Sequence, residues 1–91
     1  MKTWIIQTSK AFDKQIKALE RDDKKRILAY LKKRVMTADN PKILAKPLSG
    51  DLRGYWRFRV GDYRIIVDIQ EEICTIIAIE LGHRSEIYRN C

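Results

Sequence analysis

The sequence predicts an α+β domain in which two N-terminal helices pack on a small antiparallel sheet, in the order β-α-α-β-β-β. Three observations carry that expectation. Up to about Met36 the apolar residues recur at helical spacing, from Tyr55 onward they alternate with polar ones at strand spacing, and Gly61-Asp62 divides the alternating region as a two-residue turn. At 91 residues the chain has room for one core, so residues 1–91 are read as a single domain.

Trp4 to Gln7 reads as a short first strand. Thr8-Ser9 follows as an N-cap pair for a helix starting near Lys10, whose Phe12, Ile16 and Leu19 recur at i, i+4, i+7. Asp22-Asp23 are expected to cap a second helix, with Ile27, Leu28, Leu31 and Val35 as its apolar face to about Met36. Acids at its start and Lys32, Lys33 and Arg34 late in it suit the helix dipole. Asn40-Pro41 breaks the pattern, and Lys42 to Gly54, with Pro47, Gly50 and Gly54, is expected to be a connecting loop. Strands Tyr55 to Val60, Tyr63 to Ile69 and Ile73 to Leu81 then form a meander.

Alternation assigns the two faces of that sheet. Trp56, Phe58, Val60, Tyr63, Ile65, Val67, Thr75, Ile77 and Ile79 are expected to face the helices. Arg57, Arg59, Arg64, Ile66, Ile76 and Ala78 share the other face. The tight turn sets Arg59 directly opposite Arg64, with Arg57 next to them. Like charges opposite one another destabilise a strand pair, so the pattern asks for an anionic visitor. A turn at Gln70-Glu71-Glu72 would pair Ile69 with Ile73 and Arg64 with Ala78. The third strand then returns to the Gly61-Asp62 end, bringing His83, Arg84 and Tyr88 toward Arg59 and Arg64.

Charge narrows the partner class. Nineteen Lys and Arg against twelve Asp and Glu leave a formal charge of +7, which favours a nucleic acid or an acidic protein as partner. A hydrophobic share of 45% excludes a disordered basic tail. No signal sequence or membrane-length apolar run is present, so a cytoplasmic protein without a membrane partner is expected. Cys74 and Cys91 form no C-x-x-C pair and there is one His, so neither a metal, a disulfide framework nor a cofactor is expected. The helix lysines read most simply as a solvated face, with an accessory phosphate-backbone surface as the sharper alternative. Trp56 belongs to the core alternation rather than to a base-stacking platform.

The run Lys46-Pro47-Leu48, Gly50, Leu52, Gly54, then Trp56-Arg57-Phe58-Arg59-Val60-Gly61-Asp62-Tyr63-Arg64-Ile65-Ile66, and finally Gly82-His83-Arg84-Ser85-Glu86-Ile87-Tyr88, resembles the RelE branch of the RelE/ParE toxin superfamily. The resemblance covers nearly the whole chain. It implies a microbial-ribonuclease-like fold and a toxin of a type II toxin-antitoxin module. RelE members cleave mRNA in the ribosomal A site, and ParE members poison DNA gyrase. The family's basic strand positions fall on Arg57 and Arg59, its central arginine on Arg64, the basic residues before Ser-Glu on His83 and Arg84, and its C-terminal tyrosine on Tyr88. Lysines usual at the strand positions are arginines here, the terminal basic run is shorter, and the tail after Tyr88 is short.

The implied chemistry is metal-free endoribonuclease action that inhibits translation, with ribosome, mRNA and a cognate antitoxin protein as partners. Arg64 and Arg84 would stabilise the phosphate, Arg57 and Arg59 position the strand, and Lys46 contact RNA at the rim. His83 is the one histidine, the residue type whose unperturbed pKa lies near neutrality, and so the natural proton-transfer group, although a lone His also serves structural roles. Tyr88 would stack or shuttle a proton. Two alternatives stand beside this reading: a ParE-like gyrase inhibitor without catalysis, and a non-toxic RNA- or protein-binding relative.

Overall fold

A computed structural model describes residues 3–83. Strand β1 (Ile5–Thr8) leads into helices α1 (Lys10–Lys17) and α2 (Arg21–Tyr30), followed by β2 (Ala45–Pro47), β3 (Trp56–Val60), β4 (Tyr63–Gln70) and β5 (Thr75–His83). The sheet has five strands in the order β1-β5-β4-β3-β2. Two features depart from the expected four-stranded antiparallel sheet. β1 runs parallel to β5, and the supposed loop contributes β2, which pairs with Trp56 to Phe58 of β3. Three residues around a proline at an edge are too short to give an alternation signal.

Ser9 caps α1 as expected, its Oγ accepting from the Phe12 amide at 3.0 Å. Glu20, not Asp22 or Asp23, is the N-cap of α2; the two aspartates lie in its first turn. The helix then widens into a π turn over Leu31–Val35, closed by the Met36 amide on the Leu31 carbonyl at 2.9 Å. Ile27, Leu31 and Val35 are spaced by four, which drifts by about 40° per step on a 3.6-residue helix. The wider turn compensates and keeps all three buried. Leu28, expected on that face, is 38% exposed because it lies one residue off this row.

The core joins Phe12, Ile16, Ile27, Leu31 and Val35 of the helical layer to Phe58, Val60, Ile65, Val67, Ile76, Ala78 and Leu81 of the sheet, and includes Trp4, 2% exposed. On β5 the expected faces are exchanged: Ile76 and Ala78 are core, while Ile77 and Ile79 are only half-buried. The connection before it is a turn of 3-10 helix over Glu71–Ile73, closed by Cys74 in the left-handed region at φ 47°. It is longer than the tight turn expected, so Ile69 pairs with Ile76 and not Ile73. A bulge between Ile66 and Val67 shifts the register once more and sets Arg64 opposite Gly82, not Ala78. Among the described residues no helix is long and apolar enough to cross a membrane.

Candidate functional site

The β3–β4 hairpin builds the site. Gly61 supplies the positive φ, +59°, that the first central position of a type II′ turn requires, so the strands meet without slippage. Val60 pairs with Tyr63, Arg59 with Arg64, Phe58 with Ile65 and Arg57 with Ile66. Val60 and Phe58 are core, which leaves Arg57, Arg59 and Arg64 on the face turned away from the helices. β2 adds a fourth cation there, because Lys46 pairs with Arg57. Asp68 and Glu80 share this face, but Glu80 lies opposite Ile66, one row farther from the turn than Arg64. Positive charge therefore concentrates at β2, β3 and the turn.

The three arginines differ in exposure. Arg59 is exposed, Arg57 half-buried, and Arg64 only 3% exposed. Nη1 of Arg64 donates to the carbonyls of Tyr63 at 3.1 Å and Gly61 at 3.3 Å, tying its guanidinium to the turn. This cation is fixed in orientation as well as in position.

His83 takes a place other than the one expected. Its residue partner is Tyr63, and the two rings meet edge to face at 5.7 Å and 86°. Tyr63 is on the helix side, where its hydroxyl donates to Asp23 of α2 at 3.1 Å. His83 thus reaches the correct end of the sheet, but alternation in step with Leu81 sets it on the opposite face from Arg59 and Arg64. The Tyr63 hydroxyl is held above its ordinary pKa, first by burial, then by its bond to Asp23 and by the charges of Asp23, Glu20 and Asp62. Arg84 and Tyr88, together with Glu86, lie outside the described residues.

Helix α1 fixes the end of β5. Ser9 Oγ donates to the Ile79 carbonyl, and the Leu81 amide donates to Oε1 of Gln15 at 2.7 Å. These side chains satisfy backbone groups beside the bulge, a role with no local signal in the sequence. Also missed was a cationic cleft of about 390 Å³ between α2 and the hairpin turn, where Arg26, Lys33 and Arg34 meet Arg59. The helical spacing and the strand were each legible; the packing of α2 against the hairpin turn that brings them together was not.

Comparison with known proteins agrees with this architecture. A family model described as the ParE toxin of the type II toxin-antitoxin system parDE matches residues 6–88. The Mycobacterium tuberculosis toxin RelG is 37% identical over 49 residues, 54% of this chain and 56% of that protein. Toxin RelE of the same organism is 39% identical over 51 residues, 56% of this chain and 53% of that protein. The match spans about half the length of these curated relatives. Among solved structures, the M. tuberculosis RelBE2 toxin-antitoxin complex superposes with a TM-score of 0.84 at 20% identity, covering 93% of this chain and 95% of that one. The RelB-RelE antitoxin-toxin complex of Methanococcus jannaschii gives 0.69 at 27% identity, over 92% and 96%.

Proposed function

This chain belongs to the ParE toxin family of type II toxin-antitoxin systems, and we propose that it acts in the RelE manner, as a ribosome-dependent endoribonuclease cutting mRNA in the A site. The observation that carries this reading is the row of Lys46, Arg57, Arg59 and Arg64 on one sheet face, with the Arg59–Arg64 pair set at the turn. In the reaction a base takes the 2′-hydroxyl proton and the 2′-oxygen bonds to the adjacent phosphorus. The bond to the 5′-oxygen breaks, and that oxygen gains a proton, leaving a 2′,3′-cyclic phosphate and a 5′-hydroxyl. Guanidinium groups serve the step in between, because they stay charged and bind phosphate oxygens in a planar fork.

Arg59 and Arg57 hold the strand, and Lys46 extends the contact at the rim. Arg64, oriented by the turn carbonyls, stabilises charge at the phosphate. Its low exposure means that whatever covers it yields when RNA binds. Arg84 takes the second phosphate-stabilising place that the family pattern gives it. The face occupied by His83 argues against its acting as the base on RNA held by the arginines. Proton transfer then passes to Tyr88, the C-terminal tyrosine of the family pattern. An antitoxin of acidic or amphipathic character covers the cationic face, as charge complementarity requires.

Ribosomes programmed with a defined mRNA test the reading. A-site cleavage should fall by roughly a hundredfold to a thousandfold in Arg64→Ala. It should collapse in Tyr88→Phe and persist in His83→Gln. Loss of cleavage in His83→Gln with retention in Tyr88→Phe would reverse the proton assignment. The second reading, gyrase poisoning, draws on the parDE description of the matching family and on the separation of His83 from the arginines on the two faces of the sheet. Intact mRNA together with gyrase-dependent DNA breaks would establish it instead.

A further inference from the structure

The cleft between α2 and the hairpin turn is built from one charge sign. Arg26, Lys33 and Arg34 project from the helical segment, and Arg59 joins them from β3; among the described residues no carboxylate lines the space. Residues 26, 30, 33 and 34 recur at helical spacing on one face, so the three cations and Tyr30 open in one direction. The guanidinium of Arg26 is held close over the turn, its Nη1 only 3.0 Å from where a Cβ on Gly61 would stand. Arg26, Lys33 and Arg34 are otherwise exposed.

Arg59 gives the cleft its direction. β2 covers β3 only from Trp56 to Phe58, so the strand edge at Arg59 and Val60 has no neighbouring strand on that side among the described residues. Arg59 stands opposite Arg64 in the sheet and also lines the cleft. The cations of the two faces are therefore joined around this free edge. A rigid acidic helix could follow one face but not turn the corner, whereas a single-stranded phosphate backbone can do both. Tyr30 adds an aromatic wall, its ring braced against Phe58 at 6.1 Å and 64°. Burial raises the pKa of its phenol and the charge of Arg34 lowers it, with burial the larger effect.

We infer that this cleft is a second phosphate-binding site for single-stranded RNA, continuous through Arg59 with the outer face, which binds backbone without reading sequence. The site goes beyond the nuclease reading and holds whether or not the RNA is cut. Aromatic and cationic groups together are the means by which single strands are held without sequence preference.

Fluorescence anisotropy with a short 2′-O-methyl RNA, which cannot be cleaved, tests it independently of nuclease activity. Replacing Arg26, Lys33 and Arg34 with Gln should reduce the slope of log affinity against log salt by about 2, at about 0.7 per phosphate contact. From about 50 to 200 mM salt, wild type should lose about twentyfold more affinity than the variant. Replacing Lys10, Lys14 and Lys17 of α1 with Gln removes equal charge elsewhere and should leave the slope near wild type. Placing Lys at positions 26 and 34 should retain binding, and it controls for a folding defect. Equal losses in the cleft and α1 variants would overturn the site, since general charge would then suffice. A poly-glutamate peptide whose binding depends on the cleft residues, with RNA indifferent to them, would also overturn it in favour of a protein partner.

Discussion

Arg59 and Arg64 face each other across the hairpin, and the arrangement carries a cost in the free protein. Directly opposed like charges destabilise a strand pair by a few tenths to about 1 kcal/mol. Arg59→Gln should therefore raise stability by about 0.5 kcal/mol in chemical denaturation while weakening RNA binding. A loss of stability in that variant would mean that Arg59 is held by contacts stronger than the repulsion. Arg64 should behave differently, because its Nη1 ties two turn carbonyls. Arg64→Lys keeps the charge but loses the planar fork, so it should cost about 1–2 kcal/mol of stability and also lower the cleavage rate. The face shared by Arg57, Arg59 and Arg64 was legible in the sequence because Gly61-Asp62 fixes both strands at once. The position of Lys46 beside Arg57 was not, since nothing in Ala45-Lys46-Pro47 alone specifies a partner.

Each strand beyond the hairpin depends on a connection whose length sequence does not reveal. The turn over Glu71–Ile73 put Ile76 and Ala78 on the core face in place of Ile77 and Ile79, and the bulge at Ile66/Val67 restored the expected parity beyond it, so that Leu81 and His83 face the helices. Both devices change the side-chain parity by one residue, and alternation cannot register an extra residue inside an apolar run such as Cys74 to Leu81. Ser9 and Gln15 show how the fold stabilises that register, by lending side-chain groups to Ile79 and Leu81. Ser9→Ala removes both a helix cap and a bond to β5, and should cost about 1–2 kcal/mol in a denaturation titration. A cost near zero would show that water replaces both. The link from α2 to β4 through Tyr63 and Asp23 has a pH signature. The folded protein holds the phenol's proton more tightly than the unfolded chain. Its stabilising contribution is full below the ordinary value near 10 and is lost as pH rises through the raised folded value. Tyr63→Phe should be about 1 kcal/mol less stable at neutral pH, and the gap should close in alkaline denaturation.

At the scale of the whole molecule, a formal charge of +7 on 91 residues sets both partner choice and stability. The cations of the outer face and of the α2 cleft stand close to one another around the hairpin, so the free protein carries a strong self-repulsion there. Any salt relieves that repulsion by screening, with a Debye length of about 10 Å at 0.1 M. An anion that fits a guanidinium fork should do more, because it binds the folded state and the unfolded chain presents no such cluster. Inorganic phosphate at a few times its dissociation constant should thus raise the melting temperature beyond chloride at matched ionic strength. At about ten times that constant the gain is about 1.4 kcal/mol, or roughly 6–11 °C for a domain of this size. Working at low millimolar concentration keeps the general stabilisation by excluded salts out of the comparison. Equal shifts with phosphate and chloride would mean that the positive face is a diffuse field, and Arg59→Gln would then leave the difference at zero. A phosphate-specific shift that shrinks in Arg59→Gln would place the bound anion at the residue shared by both faces.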